Sequence, residues 1–256
     1  ECTHDDESKN EIAGITAAQA LLNYGIAKSV ISFVVEQSAT PEERDDGLSD
    51  VDDGNDSWRK GMEIVDSVLS STTSPTMSTL AKCLKASLLC SMSQSILFPI
   101  GAENKLSAKD VPEKQLTVAS QSCRDALQIL DELNSTQTEH HSDHPHVQQF
   151  DALVGHALSL VASCYTIAGS AVTAQGLFQS ALDKYSESSD NFLFKNIDYN
   201  PYSLMWYRDT LGRYASLCQQ WEKRERKAET LFGKQKELEK EHMSKAGGIN
   251  PIFSVV

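Results

Sequence analysis

The sequence predicts an all-α protein, and three observations support this. Apolar residues recur at intervals of three and four through most of the 256 residues, which is the pattern of amphipathic helices. No segment has the alternating polar and apolar residues of a half-buried strand. The 7 prolines and 13 glycines lie mostly between the periodic segments, where they end helices.

The periodic segments predict helices in the following order. Residues 1–10 are expected to form a flexible N-terminus, and residues 246–256 a C-terminal tail. Between them the predicted helices cover residues 11–23, 26–37, 57–70, 76–97, 113–134, 147–168, 171–186 and 201–243.

The connections between these helices are of two kinds. Short turns at Asn23–Gly25 and Ala168–Ser170 predict antiparallel neighbours. Three longer connections are polar: an acidic insertion at 38–56, a loop at 98–112 and a histidine-rich loop at 135–146. The acidic insertion carries too much like charge to bury apolar surface, so we expect it to be solvated.

The segment Leu158–Leu182 carries small and aromatic residues at regular places on two consecutive helices. These residues are Ala162, Tyr165, Gly169, Ala174, Phe178 and Ala181. Small residues let two helices approach closely, while Tyr165 and Phe178 fill the space beside the next hairpin. The spacing resembles the tetratricopeptide repeat (TPR), a helical hairpin of 34 residues. The sequence departs from that family at Leu158, where the family has tryptophan, and at Ser186, where it has proline.

Two more divergent copies of the second-helix pattern occur earlier in the chain. They read Gly61, Val65, Val68, Leu69 and Ala119, Cys123, Ala126, Leu127. Their first helices are predicted at 26–37 and 76–97. The resemblance implies a short right-handed solenoid of TPR-like hairpins over residues 11–200, and a generic helical bundle is the alternative.

The last predicted helix, within residues 201–245, becomes highly charged after Trp221. It is expected to act as the polar cap that ends a solenoid. Alternatively, it extends beyond the fold towards a partner, because Leu231, Phe232 and Leu238 could form a narrow apolar stripe.

The resemblance also implies a concave groove, lined by the first helices of successive hairpins, that binds a segment of a protein partner. The implied groove residues are His156, Ser159, Ser163, Thr166, Ile167, Trp206, Asp209, Arg213 and Leu217. Ser159 and Ser163 stand where the chaperone-tail-binding members have a basic residue and an asparagine. A clamp for a C-terminal carboxylate is therefore not expected, and a mixed polar and aromatic groove is.

Side chains with the chemistry of metal ligands cluster at one place in the chain. These are His140, His141, His144 and His146, in the loop 135–146. One loop without helical i, i+4 pairing is a poor scaffold for coordination, so no metal site is expected there. Five of the six cysteines fall at apolar positions of predicted helices without CxxC spacing, which is typical of buried, reduced thiols.

Motifs of known catalytic sites, phosphate-binding loops and nucleotide fingerprints are missing from the sequence, so we expect neither an enzyme nor a cofactor. The net charge of −13 repels phosphate backbones, and nucleic-acid binding is not expected. No apolar run approaches the roughly 20 residues of a bilayer span. The expected location is intracellular and cytoplasmic, with any N-terminal targeting peptide already removed.

These observations predict a non-catalytic protein–protein interaction module, an adaptor or assembly factor that holds a partner segment in a helical-repeat groove. Two other functions stay open. The chain could be a structural subunit of a larger complex, held by its helix faces, or a metal-binding protein that uses the histidine-rich loop.

Overall fold

The computed structural model describes residues 9–25, 55–98, 111–137, 145–187, 201–221 and 223–245, and all regular structure in these ranges is α-helical. This confirms the all-α prediction. The helices are α1 (9–25), α2 (Asn55–Ser71), α3 (Pro75–Leu97), α4 (Glu113–Gln137), α5 (Pro145–Ile167), α6 (Ala171–Glu187), α7 (Pro201–Gln219) and α8 (Glu225–Lys245).

Several sequence predictions fall wholly or partly outside the described residues. These include the helix at 26–37, residues 1–8, the C-terminal tail and the middle of each long loop. The described ends of two predicted loops are helical, contrary to expectation. Residues 55–56 of the acidic insertion begin α2, while residues 135–137 of the histidine-rich loop complete α4 and Pro145 begins α5. Proline suits a helix start, because its fixed φ is helical and its missing N–H needs no partner in the first turn.

The helices pack in a regular order. The most extensive contacts pair α5 with α6, α3 with α4, and α7 with α8. The first helices of these pairs also contact each other, α3 with α5 and α5 with α7. Each second helix contacts the first helix of the next pair, α4 with α5 and α6 with α7. The result is three successive helix pairs in mutual contact.

Helix α1 packs on α2, which in turn contacts α3. The Trp58 side chain donates a hydrogen bond from Nε1 to the Leu22 carbonyl over 3.2 Å, which ties the end of α1 to the start of α2. A Cβ on Gly14 would lie 2.7 Å from a methyl group of Val68, so the two helices approach closely there. Among the described residues, α1 is therefore the helix that pairs with α2.

The turn between α5 and α6 depends on Gly169. Its φ of 78° is left-handed, a conformation that glycine adopts without steric cost. The amide of Ser170 donates to the Tyr165 carbonyl at 2.8 Å, and the amide of Gly169 to the Thr166 carbonyl at 3.0 Å. This pair of bonds is the Schellman motif, which satisfies the last carbonyls of α5 and reverses the chain.

The side chains of the TPR-like segment lie in the core. Ala162, Ala174 and Phe178 belong to a hydrophobic cluster that also contains Tyr214 of α7. The Phe178 and Tyr214 rings stack with centroids 5.5 Å apart. Tyr165 is partly buried and packs against this cluster and against a second one between α3, α4 and α5. The α5–α6 pair is thus in side-chain contact with α3 and α4 on one side and with α7 on the other.

Helices α5 and α6 approach closely at Gly155. A Cβ there would lie 3.1 Å from the Ala181 carbonyl oxygen and 3.0 Å from two ring carbons of Tyr185. Helices α3 and α4 are joined by Ser93, whose hydroxyl lies 2.9 Å from the Leu89 carbonyl of its own helix and 3.0 Å from the Ala119 carbonyl of α4. Small side chains at both places permit the close approach.

The prediction of one long helix over 201–243 is wrong, because the chain reverses after Gln219. Lys223 has a φ of 68°, and the amides of Gln220, Trp221 and Arg224 each bond to the carbonyl three residues before. Helix α8 then returns along α7, and Ala228, Leu231 and Leu238 are buried against it. The apolar stripe considered as a partner contact is therefore covered within the chain, while the opposite face of α8 is exposed.

Helix α5 contains an apolar stretch that is longer than the sequence prediction allows. Its residues Phe150–Ile167 have the length and composition of a bilayer span, but 72% of that stretch is buried inside the fold. The core helix of a packed protein meets the same criterion, since it is apolar on most sides. His156, Ser159 and Ser163 interrupt the apolar residues of this stretch, so it does not form a continuous apolar run in the sequence.

Candidate functional site

The candidate site lies where α5 and α7 face each other. His156, Ser159 and Ser163 follow at intervals of three and four and share one face of α5, while Trp206, Asp209 and Arg213 share one face of α7 in the same way. We use the name Arg213 cluster for His156, Trp206, Asp209 and Arg213 together with Phe98, which follows α3. Ser159 is included because it lies one turn after His156 on the same face of α5.

An aromatic stack joins the two helices within the cluster. The His156 and Trp206 rings lie 4.6 Å apart and nearly parallel, with 9° between their planes. His156 is buried, with 3% of its surface exposed, whereas Trp206 is partly exposed. The stacked rings fix the position of α5 relative to α7 along the helix axes.

Arg213 is a buried cation, with 2% of its surface exposed. Its guanidinium carbon lies 3.9 Å from the centroid of the Phe98 ring, so the ring covers one face of the planar group. Its Nη2 lies 4.0 Å from Oδ2 of Asp209, one turn earlier in α7. That distance allows charge attraction but is too long for a hydrogen bond.

The Asp209 carboxylate is bound more closely by a different arginine. Arg208 donates from Nε and Nη2 to Oδ1 of Asp209 at 3.0 and 2.7 Å. Asp209 therefore neutralises only part of the charge of Arg213.

Several polar atoms of the cluster are buried without a hydrogen-bond partner. They are Nε and Nη1 of Arg213, Nδ1 of His156 and Oγ of Ser159. A buried donor or acceptor without a partner costs about 1–3 kcal/mol, and more when the group is charged. Such groups are expected to be few in a native fold, so several buried between α5 and α7 call for an explanation.

Two groups of the cluster, His156 and Arg213, have clearly shifted pKa values, and both burial and neighbouring charges affect them. Burial lowers the pKa of His156 well below its usual value, and the positive charge of Arg213 lowers it further. Burial also lowers the pKa of Arg213, while Asp209 opposes that shift. His156 is consequently neutral at pH 7, and Arg213 supplies the positive charge of the site.

The remaining predicted groove residues do not join the cluster. Ser163 and Thr166 donate their hydroxyl hydrogen bonds within α5, to the carbonyls of Ser159 at 2.8 Å and of Ala162 at 3.0 Å. Ile167 and Leu217 are buried in two different hydrophobic clusters. Ser163, Ile167 and Leu217 are thus buried and not exposed as groove residues would be, whereas Thr166 stays partly exposed.

Sequence reasoning missed two members of the site. The sequence puts Phe98 at the start of a polar loop and does not single out Arg208. An aromatic residue just after a helix gives no sequence signal for contact with an arginine 115 positions later. The adjacent charges Arg208 and Asp209 give no clear signal either, because residues i and i+1 do not share a helix face.

The described part of the chain also shows where the candidate metal ligands and the thiols lie. The described residues contain no group of three or more side chains placed to hold a metal ion. His140, His141 and His144 lie outside the described residues, and of His146 only the backbone is described. Cys90, Cys123, Cys164 and Cys218 are buried free thiols and Cys83 is partly buried, as the sequence predicts, while Cys2 lies outside the described residues.

The Arg213 cluster thus combines buried N–H and O–H groups that lack partners with two partly exposed aromatic rings, Phe98 and Trp206. The exposed parts of the two rings offer aromatic surface that a ligand could cover. Comparison of the chain with models of known families, with curated proteins and with solved structures finds no match.

Proposed function

We propose that the chain is a non-catalytic protein–protein interaction module, an adaptor or assembly factor that holds a segment of a partner protein at the Arg213 cluster. We propose further that its hairpins stack in the manner of TPR units, as a short right-handed solenoid. Support for the stacking comes from the order of contacts, in which α3, α5 and α7 touch in sequence and each second helix touches the next first helix.

The observation that carries the proposed function is the set of unpartnered polar atoms on His156, Ser159 and Arg213. A fold gains nothing from such atoms, since apolar side chains of similar size would pack there without a desolvation cost. Local arrangements that lower stability are concentrated at functional sites, where a ligand supplies the missing interactions.

The position of the cluster fits this role. It is formed where the first helices of successive pairs meet, and Phe98 and Trp206 are its partly exposed members. A partner segment that covers these rings would bury aromatic surface, which is the commonest source of binding energy at protein interfaces.

Affinity purification from a native extract, with quantitative mass spectrometry, tests the proposed function. The full chain is compared with a double variant, Trp206→Ala with Arg213→Met. A stoichiometric partner is expected with the full chain and is expected to be lost from the double variant.

The matched control is Val172→Ala with Arg226→Met, which also removes one apolar side chain and one guanidinium. Both of its positions are exposed and lie on α6 and α8, outside the cluster. Circular dichroism shows whether each variant keeps its helices. Equal recovery of the partner by the double variant and the control would contradict binding at the cluster and favour a structural subunit held by its helix faces.

A further inference from the structure

We propose that Cys123 of α4 and Cys164 of α5 form a disulfide when the chain meets a low-molecular-weight disulfide oxidant such as glutathione disulfide. The cross-link joins two neighbouring helix pairs, and it does not depend on the binding proposed at the Arg213 cluster.

The two cysteines belong to a group of thiols that the fold brings together. Cys90 of α3, Cys123 of α4 and Cys164 of α5 lie in one hydrophobic cluster, and all three are free thiols. Cys218 belongs to a different cluster, which lies between α6, α7 and α8. Helices α3, α4 and α5 are in mutual contact, so three thiols that are remote in the sequence become neighbours.

Within this group, the side chains of Cys123 and Cys164 are in direct contact. The Cys164 thiol donates a hydrogen bond to the Cys123 sulfur, which raises the pKa of Cys164 and lowers the pKa of Cys123. Cys90 interacts with Cys123 through charge. A disulfide needs a sulfur–sulfur bond of about 2.0 Å. The pair that is already in hydrogen-bond contact is therefore the one expected to form it.

Burial of the two thiols does not prevent their oxidation, because the oxidant does not need to enter the folded core. Cys123 is fully buried, and Cys164 is 4% exposed. Such thiols react while the chain folds, or when neighbouring helices separate transiently. The fold then needs only to bring the second thiol to the first, which the contact between α4 and α5 provides.

The reaction consists of two exchange steps. The Cys123 thiolate attacks one sulfur of glutathione disulfide, forms a mixed disulfide and releases one glutathione thiolate. The Cys164 thiolate then attacks the Cys123 sulfur, forms the intramolecular disulfide and releases the second glutathione thiolate. In total the two cysteines lose two protons and two electrons, and one glutathione disulfide becomes two glutathione thiols.

The cross-link acts on the contact between two helix pairs, since α4 is the second helix of one pair and α5 is the first helix of the next. It closes a loop over residues 124–163 and thereby lowers the entropy of the unfolded chain. It also ties α5, which carries His156, to the α3–α4 pair, in which Phe98 follows α3. Oxidation is therefore expected to stabilise the fold and to restrict motion at the Arg213 cluster.

Equilibration of the full chain with reduced and oxidised glutathione tests the proposal. The chain is kept folded, in urea below the unfolding transition so that helices can separate transiently, and in parallel is fully unfolded in concentrated urea. Each reaction starts once from the reduced chain and once from the oxidised chain, so that equal end points show equilibrium. Free thiols are then alkylated, and peptide mass spectrometry quantifies the Cys123–Cys164 disulfide. The equilibrium constant for its formation is expected to be about thirtyfold or more higher in the folded chain, as for a disulfide that stabilises a fold.

Cysteine-to-alanine variants identify the pair. Cys123→Ala and Cys164→Ala are each expected to abolish this disulfide. The matched control is Cys90→Ala, which removes a buried thiol of the same cluster and is expected to keep it. Circular dichroism shows whether each variant keeps its helices, and the peptide map of the unsubstituted chain identifies the pair even if a variant does not fold.

The oxidised full chain is also expected to unfold at a higher urea concentration than the reduced chain. A lower midpoint after oxidation would mean that the disulfide strains the contact between α4 and α5. A disulfide between other cysteines in place of Cys123–Cys164, or an equal equilibrium constant in the folded and unfolded chain, would likewise overturn the proposal. None of these outcomes bears on partner binding, so the proposed function stands or falls separately.

Discussion

The imidazole of His156 lies flat against the indole of Trp206, at 4.6 Å between ring centroids. This contact connects the middle of the chain to its C-terminal third and holds a titratable ring away from water. It also accounts for the state of that ring, since a buried imidazole beside the cation Arg213 is more stable without its proton.

The first prediction concerns pH. The pKa of His156 in the folded chain lies below the value of about 6.5 expected when the chain is unfolded. Between these two values the unfolded state binds more protons, so the free energy of unfolding falls as pH falls below 6.5. The loss attributable to His156 approaches about 1.4 kcal/mol per pH unit. Urea titrations at pH 7.5, 6.5 and 5.5 measure it.

His156→Gln removes the titrating group and serves as the reference for this measurement. The stability of the variant should decline less steeply over the same pH range. Parallel curves for the two proteins would contradict the depressed pKa.

The second prediction concerns the stability cost of the candidate site. Replacing Arg213 by Met removes two buried donors without partners, at about 1–3 kcal/mol each, and forfeits the contact with Phe98, worth about 1–2 kcal/mol. Asp209 keeps its bonds to Arg208. We therefore expect Arg213→Met to raise the free energy of unfolding by about 1 kcal/mol in urea titrations at pH 7.

The exposed Arg226→Met should change stability by less than about 0.5 kcal/mol. If Arg213→Met instead lowered the free energy of unfolding by more than 2 kcal/mol, the guanidinium would be a structural element of the fold, and the argument for a binding role would lose its basis.

The third prediction compares one substitution at two glycines. A side chain at Gly155 meets the Ala181 backbone and the Tyr185 ring, whereas nothing lies within 4 Å of a Cβ at Gly176. Gly155→Val should lower the free energy of unfolding by about 2 kcal/mol, through overpacking between α5 and α6. Gly176→Val should leave it unchanged or raise it slightly, since valine has the higher helix propensity. Chemical denaturation of both variants tests this, and equal effects would contradict the close approach.

The fourth prediction concerns the contact between α6 and α7. Phe178 is fully buried and stacks on Tyr214, so Phe178→Ala should lower the free energy of unfolding by about 3–5 kcal/mol. Val172 lies on the same helix but is 80% exposed, and Val172→Ala should have an effect below about 0.5 kcal/mol. Thermal unfolding followed by circular dichroism separates the two outcomes. A small loss at Phe178 would mean that the α6–α7 interface is not part of the core.

The sequence predicts helices well in this chain because their apolar spacing is local information. It also predicts the α5–α6 turn, since Gly169 supplies the left-handed residue that the turn needs. It does not predict the reversal between α7 and α8, because the left-handed residue there is Lys223, in a charged run that favours helix. That reversal depends on Ala228, Leu231 and Leu238 finding a partner surface on α7, which is tertiary information.

The candidate site likewise follows in part from local spacing and in part from tertiary packing that the sequence does not reveal. Spacing places His156 and Ser159 on one face of α5, and Trp206 and Arg213 on one face of α7, and the two faces do meet. Their burial was not predictable, because it depends on which neighbouring elements cover the faces. Phe98 is the clearest case, since its contact with Arg213 follows only from the packing of α3 beside α5 and α7.

The return of α8 along α7 has a practical consequence for work with fragments of this protein. Because its sequence is charged, α8 could be mistaken for a dispensable tail and deleted. However, α8 covers Tyr214, Leu217 and Cys218, and Lys227 bonds to the Tyr214 hydroxyl. A fragment that stops at Gln219 would expose an aromatic and aliphatic surface to water and would tend to aggregate. Fragment boundaries should therefore keep both helices, and an affinity tag belongs beyond Lys245 and not in the turn at Lys223.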